Sequence, residues 1–268
     1  MANKIINIFA NDDEYSQETR KLLRRKFQNC GCCVPREFSE KAELIISIGG
    51  DGSFLRTLHE YNFPPIPFLG INTGHLGFFQ EIHPNDLDDF IFRYSQNRFV
   101  IQEMKTIRAV VTEEDGTECE YMGLNEVLVK GENSRNVHLN LSIGGSFIER
   151  FSGDGIVVST PAGSTAYNYS LGGSIVDPRI SVLQITPIAP MNTTAYRSFT
   201  SSVILPPELV VDILPEYYKE DVLMIVLDGM EHRHVKPRQV VVSLSDTIVR
   251  LMRFENYDFW NKVKTKFL

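Results

Sequence analysis

The run Leu44-Ile45-Ile46-Ser47-Ile48-Gly49-Gly50-Asp51-Gly52-Ser53-Phe54-Leu55-Arg56 sets three glycines around one carboxylate where an apolar strand turns into a helix. Glycine at 49, 50 and 52 lets the backbone adopt unusual dihedrals and bring its N–H groups close to a phosphate. The N-terminus of the following helix adds partial positive charge. Arg56 lies about one helical turn beyond Gly52, in reach of the same anion. Asp51 would repel that anion unless its carboxylate addressed something else, either a metal ion or the hydroxyl that attacks a phosphoryl group. General base is the role that fits best, and the competing reading is a tight turn whose Asp caps the helix.

A second constellation is Gly153-Asp154-Gly155-Ile156-Val157-Val158-Ser159-Thr160-Pro161-Ala162-Gly163-Ser164-Thr165-Ala166-Tyr167-Asn168-Tyr169-Ser170, running on to Gly173. A strand over Ile156 to Ser159 enters a turn of small residues whose Ser164 and Thr165 can cap the helical stretch Ser164 to Ser170. Small side chains let a flat ring lie against the backbone, with Tyr167 stacked on it and Ser170 about one turn later on the same side. An ordinary Ser/Thr/Gly turn has the same composition. A third element, Leu124-Asn125-Glu126-Val127, places an amide and a carboxylate together in an apolar strand. They face solvent at an edge, or they clamp ribose hydroxyls or a base edge.

The elements that must position these groups follow two grammars. Up to about Arg98 strand and helix alternate, as in parallel βαβ units. A strand over Ile5 to Ala10 precedes a helix with Thr19, Leu22, Leu23 and Phe27 on one face, and Leu44 to Ile48 reads as a strand buried on both sides. A helix from Ser53 buries Phe54, Leu55 and Leu58 and stops before the prolines at 64, 65 and 67, ahead of a strand over Pro67 to Ile71. Pro84 opens a further helix with the stripe Leu87, Phe90, Ile91 and Tyr94. From Phe99 onward strands and turns dominate. Asp115-Gly116 and Gly144-Gly145 are hairpin turns, and Val137, Leu139, Leu141 and Ile143 alternate as in a half-buried strand. Later strands are expected at Ser201 to Leu205, Leu209 to Leu214, Val222 to Leu227 and Val240 to Leu244. The chain therefore divides into an α/β domain over 1–98 and a β-sandwich over 99–246.

Composition narrows the function. With 268 residues, a net charge of -7 and a pI near 5.4, the chain lacks the basic field that would gather nucleic acid or an anionic membrane. No apolar stretch approaches the roughly 18 to 20 residues of a membrane span or the h-region of a signal peptide, so the expectation is a cytoplasmic protein. Cys30, Cys32 and Cys33, with Cys119 apart, lack the pairing of a zinc site and read as reduced thiols. No protein-held metal cage is visible, so a divalent cation, Mg²⁺, is expected to arrive with donor phosphates. Neither G-x-x-x-x-G-K-[ST] nor G-x-G-x-x-G between strand and helix is present, which excludes two common nucleotide loops.

Taken together, Gly49 to Arg56, the run Asn-Thr-Gly-His-Leu-Gly-Phe at 72–78, Asn125-Glu126 and the Gly153 to Gly173 block resemble the NAD kinase family in order and approximate spacing. The G-G-D-G turn is shared with diacylglycerol, sphingosine and 6-phosphofructokinase relatives, whereas the T-P-x-G-S-T-A-Y block with Asn-Glu resembles NAD kinases in particular. The resemblance implies a Rossmann-like α/β domain with a phosphofructokinase-type parallel sheet, completed by a returning segment 247–268, and a β-sandwich domain. It implies phosphoryl transfer from ATP or polyphosphate to the adenosine-ribose 2′-hydroxyl of NAD, with Asp51 as catalytic base. Gly49, Gly50, Gly52 and Arg56 would hold the donor phosphates. Asp51 and Gly52 would also touch NAD, along with Asn125, Glu126, Asp154, Ala162, Thr165, Ala166, Tyr167, Asn168 and Ser170. A homodimer or homotetramer would have a neighbouring subunit lining part of each NAD site. Ser152 and Tyr169 stand where relatives often carry a basic residue, and Arg150 is expected to replace the missing charge. At Asp228-Gly229 the resemblance is too weak to assign these residues to the NAD pocket. A lipid or sugar kinase sharing the G-G-D-G turn, and a non-catalytic NADP(H) sensor, are the rival readings.

Overall fold

The computed structural model of the chain describes residues 3–74, 77–217 and 222–268. They form two compact units, one extending to Met104 and regaining Ile248–Leu268, the other Lys105–Thr247. In the first unit β1 (Ile6–Ala10), α1 (Glu14–Asn29), β2 (Leu44–Gly49), α2 (Asp51–Glu60), β3 (Phe68–Asn72), β4 (Gln80–Ile82) and α3 (Leu87–Ser95) follow in order. Neighbours β1 and β2, β2 and β3, and β3 and β4 pair in parallel. Every residue of β2 is buried, as its run of Leu44, Ile45, Ile46 and Ile48 requires of a strand with no solvent face.

Helix α1 starts where Asp13 accepts a hydrogen bond from the Ser16 amide at 2.9 Å. Its buried face carries Ser16, Thr19, Leu23 and Phe27, while Leu22 is exposed. The expectation for Leu22 is thus corrected: it lies about 100° around the helix from Leu23, off the stripe that ends on Phe27. Phe27 meets Phe90 and Tyr94 edge-on at 5.9 and 6.0 Å between centroids, and Leu87, Phe90, Ile91 and Tyr94 of α3 are all buried. Pro84 does not open that helix but sits in a separate 3₁₀ turn, Pro84–Asp86, before it. Helix α2 begins at Asp51, two residues before Ser53, and ends ahead of Asn62 and Phe63, whose φ values of 51° turn the chain before the prolines. His75 and Leu76 of the 72–78 run lie outside the described residues.

The chain continues through β5 (Val100–Thr112), β6 (Glu118–Gly123), β7 (Glu126–Gly131), β8 (Val137–Ile143), β9 (Ser146–Gly153) and β10 (Gly155–Ser159). After the short α4 (Tyr167–Ser170) come β11 (Leu183–Ile188), β12 (Val203–Leu205), β13 (Val211–Pro215), β14 (Val222–Leu227) and β15 (Met230–Val235). The last elements are β16 (Gln239–Arg253) and α5 (Phe259–Phe267). The expected strand at Ser201 is shorter than read, and that at Val240 runs much further.

Within the second unit one antiparallel layer has the order β12-β11-β10-β7-β14-β15. The other pairs β9 with β8, β8 with β13, β13 with β16, and β5 with β6. Val127, Val129, Ile156, Val158 and Ile225 of the first layer share one core with Leu139, Leu141, Ile213 and Val242 of the second, which makes a sandwich. Gly144-Gly145 and Asp228-Gly229 are two-residue hairpin loops with positive φ at both positions, as right-twisted strands need. In the first unit Leu251 of β16 pairs in parallel with Phe68. Among the described residues no helix is long and apolar enough to cross a membrane.

Candidate functional site

The turn between β2 and α2 forms at the carboxyl end of a buried parallel strand, the edge where open α/β folds bind ligands. A Cβ on Gly49 would sit 2.4 Å from Ser53 Oγ, so this glycine is demanded by the tight entry into α2. Gly50 and Gly52 differ. Neither has positive φ, contrary to the sequence expectation, and a Cβ on either would meet nothing within 4 Å. Their bareness serves no packing inside the protein and leaves room for a ligand. Gly50 is the N-cap of α2 and offers no side-chain bond, so the first-turn N–H groups keep their pull on an anion. Arg56 is exposed further along the same helix.

Asp51 is not a cap. It lies inside the first turn, and its carboxylate accepts from the backbone N–H groups of Phe78 and Phe79, both at 3.0 Å. Lys266 Nζ approaches Oδ2 at 3.5 Å. A Cβ on Gly77 would fall 2.3 Å from Asp51 Oδ1 and 2.0 Å from Gln80 Oε1, so glycine there lets the loop close on the carboxylate.

That loop is held from behind by two cations, Arg253 buried and Lys262 half-buried. Arg253 pairs with Glu81 at 3.1 Å, donates to the Phe78 carbonyl at 3.2 Å and to Gln102 at 2.9 Å, and lies over the Tyr257 ring. Lys262 donates to the carbonyls of Gln80 and Phe78. Burial, and then Arg253, lowers Lys262 to about 8. With the carbonyl side of the loop pinned, the amides of Phe78 and Phe79 are fixed toward Asp51, a preorganised arrangement.

In the second unit Asn125 and Glu126 are buried at the start of β7, which lies between β10 and β14. The solvent-facing edge reading is therefore wrong. The Asp228 carboxylate, at the β14–β15 hairpin, accepts from the amides of Leu124 and Asn125, both at 2.7 Å. Thr160 closes the other side, its N–H bonded to the Asn125 carbonyl at 2.9 Å and its hydroxyl to the Leu124 carbonyl at 2.7 Å. A Cβ on Gly163 would stand 2.1 Å from the Asn125 carbonyl oxygen, so only glycine permits this approach.

The side chains so placed are left wanting. Asn125 Oδ1, Glu126 Oε2 and Ser159 Oγ are buried without hydrogen-bond partners, and Ser159 sits directly opposite Glu126 in the β7–β10 pair. Burial, reinforced by Asp228, raises Glu126 to about 8. Such groups cost free energy unless a ligand satisfies them. Sequence reasoning missed Ser159 and gave Asp228 only weak weight. A hydroxyl ending the strand opposite the Asn-Glu pair, and Asp-Gly as a hairpin signature, were the available signals.

Ala162 and Thr165 are buried in the turn beside this start of β7, Ala166 is half-buried, and Tyr167 and Ser170 are exposed on α4. The expected continuous helix is broken: a 3₁₀ turn over Gly163–Thr165 and then Ala166 at ψ -133° precede α4. Local bonds from the hydroxyls, such as Ser164 to the Pro161 carbonyl at 2.7 Å, compete with the helix ladder. Asp154 is exposed in the bend between β9 and β10. Asn168 is engaged within its own unit. It is fully buried, accepting from Thr186 at 2.6 Å and donating toward the carbonyls of Ser164 and Ser174. Nor is Arg150 a spare charge, because it forms a bidentate pair with Glu216 and lies over Tyr196. Ser152 is buried, and Tyr169 is exposed. Cys30 and Cys33 are exposed free thiols, and burial pushes the Cys32 thiol up. Among the described residues no three His, Cys, Asp or Glu side chains gather as a metal cage.

One unit thus carries an anion-receptive turn with an oriented carboxylate, the mark of a phosphotransferase, and the other a buried set of acceptors. Residues 1–99 match the model of the ATP-NAD kinase N-terminal domain, and residues 124–254 that of the ATP-NAD kinase C-terminal domain. The NAD kinase of Finegoldia magna is 36% identical over 272 residues, covering 99% of this chain and 98% of that protein. The NAD kinase of a Staphylococcus aureus strain is 34% identical over 235 residues, 87% of each. The chain belongs to the NAD kinase family. In fold it is similar to yeast NADH kinase complexed with NADH, with a TM-score of 0.85, 18% identity and coverage of 98% of this chain and 87% of that one. An NAD kinase from Archaeoglobus fulgidus in complex with ATP gives 0.76 at 22% identity, covering 98% and 99%.

Proposed function

We propose that this enzyme transfers a phosphoryl group from ATP or polyphosphate to the 2′-hydroxyl of the adenosine ribose of NAD, giving NADP, with Asp51 as the general base. The observation that carries this reading is the Asp51 carboxylate held at the mouth of the G-G-D-G turn by two backbone amides. A carboxylate so oriented takes the hydroxyl proton as the acceptor oxygen bonds to phosphorus. The bond to the leaving phosphate breaks, and its electron pair departs on the leaving oxygen. The first-turn amides of α2, Gly50, Gly52 and Arg56 receive donor phosphates. Asn125 and Glu126 bond the dinucleotide through their unpartnered oxygens, with Ala162, Thr165, Ala166, Tyr167, Ser170 and Asp154 around it. The functional domains are 1–98 with 247–268, and 99–246.

The donor enters as its Mg²⁺ complex, because Asp51 is already engaged by amides and Mg²⁺ bridges phosphates while keeping its waters. We further place the enzyme in the cytosol, as a homodimer or homotetramer. The test supplies NAD, Mg²⁺ and either ATP or polyphosphate to the purified protein and detects NADP with an NADP-specific dehydrogenase. NADP formed with at least one donor, and abolished reversibly by EDTA, is the expected result. No NADP with either donor would refute the proposal.

A further inference from the structure

In the transfer proposed above, the base and the phosphoryl group it faces are both anionic, and a cation beside them removes that repulsion. The G-G-D-G turn contains no lysine, and Arg56 is further along α2. The first unit supplies a cation from the other end of the chain. Lys266 on α5 has its Nζ 3.5 Å from Asp51 Oδ2, across 215 positions of sequence.

Three features separate this contact from an ordinary surface ion pair. First, 3.5 Å exceeds the 2.7–2.9 Å or so of a good charge-assisted hydrogen bond, while Asp51 already accepts two amide N–H groups at 3.0 Å. The carboxylate is oriented without the lysine, and an ammonium with three donors has protons left for another oxygen. Second, the side chain is 33% exposed, so a ligand can reach it. Third, its support is rigid. Lys262, one turn earlier, is half-buried and donates to the carbonyls of Gln80 and Phe78, Phe259 and Phe267 flank Phe78 at 5.8 Å, and Lys266 itself lies 4.8 Å over the Phe78 ring. Helix α5 is thereby fixed to the loop whose amides hold Asp51.

We infer that Lys266 receives the transferable phosphoryl group of the donor and holds it against Asp51, an inference that rests on the reading of Asp51 as base. The ammonium forms no covalent bond and keeps its proton. It offsets charge on the phosphoryl oxygens while the acceptor oxygen bonds to phosphorus, the acceptor proton passes to Asp51, and the bond to the leaving phosphate breaks with its electron pair going to the leaving oxygen.

The test compares Lys266→Ala, Lys266→Arg and Asp51→Asn with the wild type, using steady-state kinetics with Mg²⁺–ATP and NAD, calorimetry with NAD and with ADP, and thermal melting. Lys266→Ala is expected to raise KM for ATP and lower kcat by roughly 10²–10³-fold, the usual loss on removing one charge-stabilising donor. NAD binding should be unchanged, and so should ADP binding, because ADP lacks the group the lysine holds. Lys266→Arg should recover most of kcat. Wild-type kinetics in Lys266→Ala would overturn the inference. So would equal weakening of NAD, ADP and ATP binding with a lowered melting temperature in both lysine variants, which marks a structural role. Loss of turnover in Asp51→Asn with an unaffected Lys266→Ala overturns the lysine alone. A fully active Asp51→Asn refutes the base, and an ATP-specific loss in Lys266→Ala alongside it still supports the lysine–phosphoryl contact.

Discussion

Asp51 and Glu126 are both carboxylates beside a strand end, yet their surroundings are opposite. Asp51 is partly exposed, accepts two amide N–H groups and has a lysine within 3.5 Å. Glu126 is buried, has Oε2 without a partner, and is raised to about 8 by burial and the nearby Asp228 carboxylate. The first is complete before any ligand arrives, as a group that must act at once requires. The second is held in deficit, as a group that awaits a ligand's hydrogen bonds would be. Under the proposed function, chemistry and recognition divide between a satisfied acid and an unsatisfied one.

The largest test of that division is Asp51→Asn. Asparagine keeps the shape but cannot accept the proton, and its NH2 cannot accept from one of the two amides of Phe78 and Phe79, so the variant should melt at a somewhat lower temperature, still bind NAD, and lose turnover by roughly 10²–10⁴-fold. If single-turnover measurements place the rate within about tenfold of wild type, below the span of a positioned base, the carboxylate is not doing proton transfer.

Next comes the deficit at Glu126, seen in stability. Its folded value, about 8, lies above the ordinary 4.5, so the folded state binds more protons than the unfolded chain between those values. The stabilising contribution is full below 4.5 and lost as pH rises through about 8. Ligand-free Glu126→Gln carries no such acid, so its melting temperature should exceed that of the wild type by more at pH 9 than at pH 5. A difference independent of pH, measured by calorimetry, would show that Glu126 is not a strained acid.

The smallest expected effect is at Tyr167, exposed on α4 beside the T-P-A-G turn. Tyr167→Ala should weaken NAD binding by about 1 to 3 kcal/mol if its ring stacks on a base, and Tyr167→Phe should change little. Equal dissociation constants for the Ala variant and wild type would remove Tyr167 from the ligand surface.

Much of this was legible in sequence wherever a local rule suffices. Continuous apolar residues from Leu44 to Ile48 require a strand without a solvent face, and Gly144-Gly145 permits positive φ at both hairpin positions. Errors arose where two local signals competed. Leu22 is apolar but lies off the α1 stripe, and the hydroxyls of Ser164 and Thr165 bond their own turn instead of extending a helix. Asn168 belongs to the same motif as its neighbours, yet its polar atoms are spent on Thr186 and nearby carbonyls.

By itself the sequence determined the two grammars, the glycine-bounded carboxylate at Asp51, the Asn125-Glu126 pair and the family they belong to, because side-chain period and turn sterics act over a few residues. Tertiary structure alone decided what those carboxylates experience. Asp51 meets the amides of Phe78 and Phe79, 27 and 28 positions away, and Lys266, 215 away. Asp228 reaches the amide of Asn125 across 103 positions. Hydrogen-bond partners and burial are properties of groups brought together by packing, and no spacing along the chain encodes which backbone N–H will face which oxygen.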